Sequence, residues 1–82
     1  IMPLKVKNPS KTLDCIGLYC PEPVFRTRLE LDKLKLGEVL EVFSDDLAAE
    51  EDIKSLTRRA GQELLELQKD NGTFRFLIKK IR

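Results

Sequence analysis

The sequence contains no histidine. That absence removes imidazole acid–base catalysis, a Cys–His nucleophile pair and imidazole metal ligands together. No apolar run approaches the ~20 residues that a bilayer crossing needs, and the start shows no basic n-region, apolar h-region and small-residue cleavage site. The expectation is a cytoplasmic chain without membrane insertion. An excess of one charge is lacking too: 15 Lys+Arg stand against 14 Asp+Glu, a formal net charge of +1. Such balance gives no support to a nucleic-acid or membrane-surface role driven by bulk charge. With 82 residues there is room for one domain, burying only about 60% of the surface its unfolded chain exposes. A deep cavity for a large substrate is not expected. Residues 1–82 read as a single domain, with residues 1–9, which include Pro3 and Pro9, as a loose leader.

Two cysteines are present, Cys15 and Cys20, both inside the stretch LDCIGLYCPEPVFRTR that spans residues 13–28. Without a secretory signal, a disulfide framework is the lesser expectation, and a reactive thiol rises accordingly. Two thiolates fall short of the four ligands of a structural zinc site. No metal and no cofactor are expected.

Hydrophobic spacing outlines the elements. KTLDC reads as a short strand with Leu13 and Cys15 on one face, and Gly17 as the turn residue after it. From Pro21 the pattern turns helical, with Val24, Thr27, Leu31 and Leu34 as a core-facing stripe and Gly37 as the stop. EVLEVFS follows as a strand with Leu40 and Val42 toward the helices. Asp45 and Asp46 are helix N-cap types, and Ala49, Ile53, Leu56 and Ala60 form a second stripe ended by Gly61. ELLELQK and TFRFLIKK flank DNG, a hairpin signal, and put Phe74, Phe76 and Ile78 on one face. The order β-α-β-α-β-β predicts an α+β fold: a two-layer α/β sandwich in which two helices cover one face of a four-stranded sheet.

The prolines after Cys20 explain themselves by position. In a first helical turn the amides have no intrahelical partner, so proline costs nothing there. With Cys20 as N-cap, Pro21 is N1 and Pro23 is N3, and the two rings stiffen the junction that carries the thiol. The helix dipole would then favour the thiolate, while Glu22 opposes it. Arg28 lies two turns on from Cys20 along the same face, with Arg26 near, placed to hold an anionic sulfur or an acidic partner. Phe25 and Leu29 lie off the core stripe and form a candidate docking patch beside the thiol. Cys15 is open to two readings, a small buried strand residue or a resolving thiol for Cys20.

LDCIGLYCPEPVFRTR, followed by GEVLEVFSDD, AAEEDI and FRFLIKK, resembles the TusA/SirA family of sulfur-carrier proteins over residues 12–80. The resemblance implies the same sandwich with a mixed sheet, related in shape to the C-terminal domain of a bacterial translation initiation factor. It implies that Cys20 accepts sulfur as a persulfide from a cysteine desulfurase or rhodanese-like donor. Cys20 then passes it to an acceptor protein in tRNA thiolation, cofactor synthesis or sulfur metabolism, acting as a relay and not as a turnover enzyme on its own. Leu47 departs from the family pattern, where proline is common, and is expected to loosen the start of the second helix. Two other readings are a Cys15/Cys20 dithiol switch and a nucleic-acid or ribosome-associated module built on Arg75, Lys79, Lys80 and Arg82. No stacking aromatic or glycine-rich clamp accompanies those cations, so direct nucleic-acid binding is not expected.

Overall fold

A computed structural model describes residues 9–82, so the reading of residues 1–9 as a leader lies, Pro9 apart, outside the described residues. The elements are β1 (Lys11–Cys15), α1 (Glu22–Lys33), β2 (Val39–Ser44), α2 (Ala49–Ala60), β3 (Glu63–Asp70) and β4 (Thr73–Lys79). The strands form one mixed sheet in the order β1-β2-β4-β3, with β1 parallel to β2 and the other neighbours antiparallel.

Alternation along the strands sorts side chains to two faces. Leu40, Val42 and Ser44 sit opposite Ile78, Phe76 and Phe74, and Leu13 and Cys15 opposite Val42 and Ser44. These residues, with Leu31 of α1 and Ala49 and Ile53 of α2, make the core between sheet and helices. Thr27 is also buried, its hydroxyl donating to the Pro23 carbonyl at 2.7 Å. The reverse face carries a polar ladder. Thr12 Oγ1 donates to Glu41 at 2.8 Å, and Arg75 donates to both Glu41 and Gln68, linking all four strands.

Several expected boundaries move. α1 stops at Lys33, where the Leu34 amide donates to Leu31 O and Lys80 Nζ reaches Leu31 O at 2.9 Å and Asp32 O at 3.4 Å. A cation on the open carbonyls of a last turn satisfies them and complements the dipole. Gly37, at φ 90°, therefore does not end the helix; its amide donates to Lys80 O at 2.7 Å and turns the chain into β2. Gly61 does end α2, in the left-handed conformation at φ 74°. Asn71 and Gly72, both at positive φ, form the two-residue hairpin loop between paired Asp70 and Thr73. A register shift between Leu64 and Glu66 lets both Leu64 and Leu67 pack on the core, three positions apart, which plain alternation forbids.

Candidate functional site

Parallel pairing of β1 with β2 ends at Cys15 beside Ser44, so the chain after each strand emerges at the same edge of the sheet. After β1 comes the cysteine loop, and after β2 come Asp45 and Asp46. The two aspartates were expected to cap α2; instead α2 has Ala48 as its N-cap with no side-chain capping bond. Asp45 Oδ1 accepts from the Gly17 amide at 2.9 Å, and Asp46 Oδ2 accepts from the Cys20 amide at 2.7 Å. The buried Ser44 hydroxyl accepts from the Asp46 amide at 3.2 Å and holds that aspartate in place. Each carboxylate gives one oxygen to fixing the loop that carries the thiol, and Asp46 Oδ1 also accepts from the Ala48 amide at 3.2 Å.

Cys20 is exposed at the outer end of this loop, and its peptide to Pro21 is cis. The helix begins one residue later than expected: the cap is Pro21, and Glu22 and Pro23 are its first two positions. The reason is local. Glu22 donates its amide to the Tyr19 carbonyl at 2.9 Å, closing a turn, and the first helical bond runs from the Phe25 amide to Pro21 O at 3.0 Å. Proline is still placed where no intrahelical amide is needed, and Pro23 is buried.

The thiol proton has a specific partner. Cys20 Sγ donates to Asp52 Oδ2, in the first turn of α2, at 3.0 Å. That hydrogen bond pushes the Cys20 thiol above its ordinary range, and the negative charges of Asp52 and Asp46 push it the same way. These carboxylates act against the thiolate that the α1 dipole is expected to favour. Glu22 is paired with Arg26 Nε at 3.2 Å, with both side chains about half exposed.

A groove of about 510 Å³ runs from Cys20 between the helices. α1 lines it with Val24, Phe25 and Arg28, and α2 with Asp52, Ser55, Leu56, Arg59 and Ala60. Phe25, which lines the groove, is 58% exposed, and Leu29, one turn further along α1, is 60% exposed. Arg28 thus shares a groove with Cys20. Cys15 is fully buried in the core and unpaired, and burial pushes its thiol up. Sequence reasoning took Asp46 for a helix cap, met Asp52 only inside the motif AAEEDI, and did not single out Arg59. The parallel β1–β2 pairing points to the first, whereas the other two follow only from how α2 is turned against α1. Among the described residues, no group of three or more cysteine, aspartate or glutamate side chains is arranged to hold a metal ion.

A family model described as sulfurtransferase TusA matches residues 11–80. The chain belongs to the TusA family. A relative from Archaeoglobus fulgidus, described as a sulfur carrier protein, is 49% identical over 73 residues, covering 88% of this chain and 95% of its own. The sulfur carrier protein TusA of Allochromatium vinosum is 38% identical over 68 residues, covering 83% of this chain and 90% of its own. The crystal structure of a SirA-like protein from Desulfitobacterium hafniense superposes with a TM-score of 0.77 at 28% identity, over 88% of this chain and 99% of that one. The TusA/SirA resemblance and the α+β sandwich with its mixed sheet are thereby established for this chain.

Proposed function

We propose that this protein is a sulfur carrier that accepts sulfur as a persulfide on Cys20 and relays it to acceptor proteins. The observation that carries the reading is an exposed thiol held on a pinned loop, with the Cys20 amide fixed by Asp46 at 2.7 Å. The names of its relatives, as sulfur carriers, agree with it. A relay needs its sulfur exposed and presented on a rigid point that can enter a partner's active site. Pro21 and Pro23 remove backbone freedom from the segment beside the thiol, as such a point requires. In the loading step the Cys20 sulfur attacks the outer sulfur of the donor's persulfide; in unloading, an acceptor thiolate attacks the outer sulfur now on Cys20.

The donor in this reading is a cysteine desulfurase or a rhodanese-like protein, and the acceptor serves tRNA thiolation, cofactor synthesis or sulfur metabolism. Phe25 in the groove wall and Leu29, exposed one turn further along α1, are the proposed docking patch, and Arg28 the basic side chain that meets an acidic partner group or the anionic sulfur. The other readings draw less support. Cys15 is buried in the core, which leaves a resolving role without access. Of the C-terminal cations, Arg75 is engaged by Glu41 and Gln68 and Lys80 by the end of α1. No helix among the described residues is long and apolar enough to cross a membrane.

The test is to incubate the protein with a cysteine desulfurase and cysteine and weigh it. A gain of one sulfur atom is expected in the wild type and in Cys15→Ser, and none in Cys20→Ser. A wild type that gains no sulfur sinks the proposal, and a loss of two hydrogens instead would favour the dithiol switch.

A further inference from the structure

The first turn of α2 carries three acidic side chains, and they have separate tasks. Glu50 pairs with Lys69 at 3.0 Å and Lys54 at 3.4 Å, Glu51 pairs with Lys54 at 3.5 Å, and Asp52 meets the Cys20 sulfur at 3.0 Å. An acid in a first turn is ordinarily there for the helix dipole. Asp52 differs from its neighbours because its partner is the one exposed thiol, 32 positions away in sequence and on another element.

We propose that Asp52 is the proton carrier of the site: it keeps the unloaded Cys20 as a thiol and takes up the thiol proton when sulfur is transferred. The proposal rests on the carrier reading above and deepens it. Geometry separates Asp52 from the other nearby carboxylate. Asp46 has Oδ2 on the Cys20 amide and Oδ1 on the Ala48 amide, so both its oxygens are committed to backbone. Asp52 Oδ2 is the atom that meets Sγ. The charged groups around Cys20 are Asp52 and Arg59 from α2, Asp46 from the β2–α2 connection, and Glu22 and Arg28 from α1, with Glu22 neutralised by Arg26.

The step balances without an oxidant or a reductant. A new S–S bond forms between Cys20 Sγ and the outer sulfur of the donor persulfide, and the donor's own S–S bond breaks. Its electron pair leaves with the donor cysteine as a thiolate. The proton released from Sγ passes to Asp52 and from there to the departing thiolate, which leaves as a thiol while the carboxylate is ionised again. The same residue accounts for a carrier that is quiet alone and reactive when docked, since free Cys20 is held protonated until a leaving sulfur arrives to receive the proton.

Two rates measured on the full chain test this, in the wild type and Asp52→Asn. The first is alkylation of Cys20 by iodoacetamide across pH, with the label located by mass spectrometry; the second is sulfur loading from a cysteine desulfurase. In Asp52→Asn the alkylation midpoint is expected to fall, raising the rate at pH 7 about tenfold for each pH unit of the fall. Loading is expected to move the other way. Loss of a positioned acid–base group costs about a hundredfold or more, so loading is expected to fall even as the thiolate fraction rises. An unmoved alkylation midpoint, or two rates that rise together, overturns the proposal. Asp52→Ser is the second variant should the amide disturb α2. A wild type that takes no sulfur sinks the carrier reading instead, and the alkylation midpoint then decides by itself whether Asp52 holds the proton.

Discussion

Two thiols five positions apart have been given opposite environments. Cys20 stands in solvent against a carboxylate, and Cys15 is enclosed by the core. Burial raises the Cys15 pKa most, with the charges of Asp14 and Glu22 adding to it and Arg26 opposing. A thiol that keeps its proton longer in the folded chain contributes stability that is complete below the ordinary thiol pKa of ~8.5 and disappears as pH rises through the higher folded value. The wild type should therefore lose stability as pH climbs above about 8.5, and Cys15→Ala should lose less over the same interval, even though it is less stable at neutral pH. Urea unfolding at pH 7 and again under alkaline conditions checks both statements; equal slopes with pH in the two proteins would refute the assignment. What the sequence showed of these residues was their type and spacing. Strand alternation set Cys15 on the face of Leu13 but left open whether it packs or resolves, which its burial decides, and the rise in the Cys20 pKa was not legible because its cause lies on a helix that chain distance does not place.

At the scale of elements, α1 shows how one helix serves two surfaces. Thr27 and Leu31 face the sheet while Phe25 and Leu29 face out, so the exposed pair can change without reaching the core. Phe25→Asp is expected to leave stability within about 0.5 kcal/mol, as for a surface site, and to slow sulfur loading from a donor protein. Thermal unfolding together with loading kinetics tests this, and a folded variant that loads at the wild-type rate removes the docking patch. Both helices, the hairpin and the core faces were readable because each rests on local periodicity. The exact ends were not. Asp45 and Asp46 have the chemistry of helix caps, yet the loop that follows the parallel strand beside them brings the Gly17 and Cys20 amides to their carboxylates. Lys80, at the far end of the chain, set the end of α1 that Gly37 appeared to mark in sequence. The shift that brings Leu64 and Leu67 to one face likewise has no signature in ELLEL.

Across the whole molecule the sheet order sets what must be present for anything to fold. β4 lies between β2 and β3 and supplies Phe74, Phe76 and Ile78 to the core. A chain of this length has a total stability of about 4–12 kcal/mol, and emptying a buried phenylalanine costs about 3–5 kcal/mol. Phe76→Ala should thus leave the protein close to its limit, and removal of residues 73–82 should abolish the fold as a unit. Circular dichroism during urea titration will show one transition for Phe76→Ala, shifted to lower urea, and none for the truncated chain; a truncated chain that still unfolds cooperatively would contradict this. The central place of the last strand has a further consequence for a protein made from its N-terminus onward. The loop bearing Cys20 leaves the ribosome long before β4, and the aspartates that pin it follow directly on β2, a strand that β4 must pair with. A nascent chain that has not yet emerged as far as β4 therefore carries the cysteine but not the pinned loop that presents it.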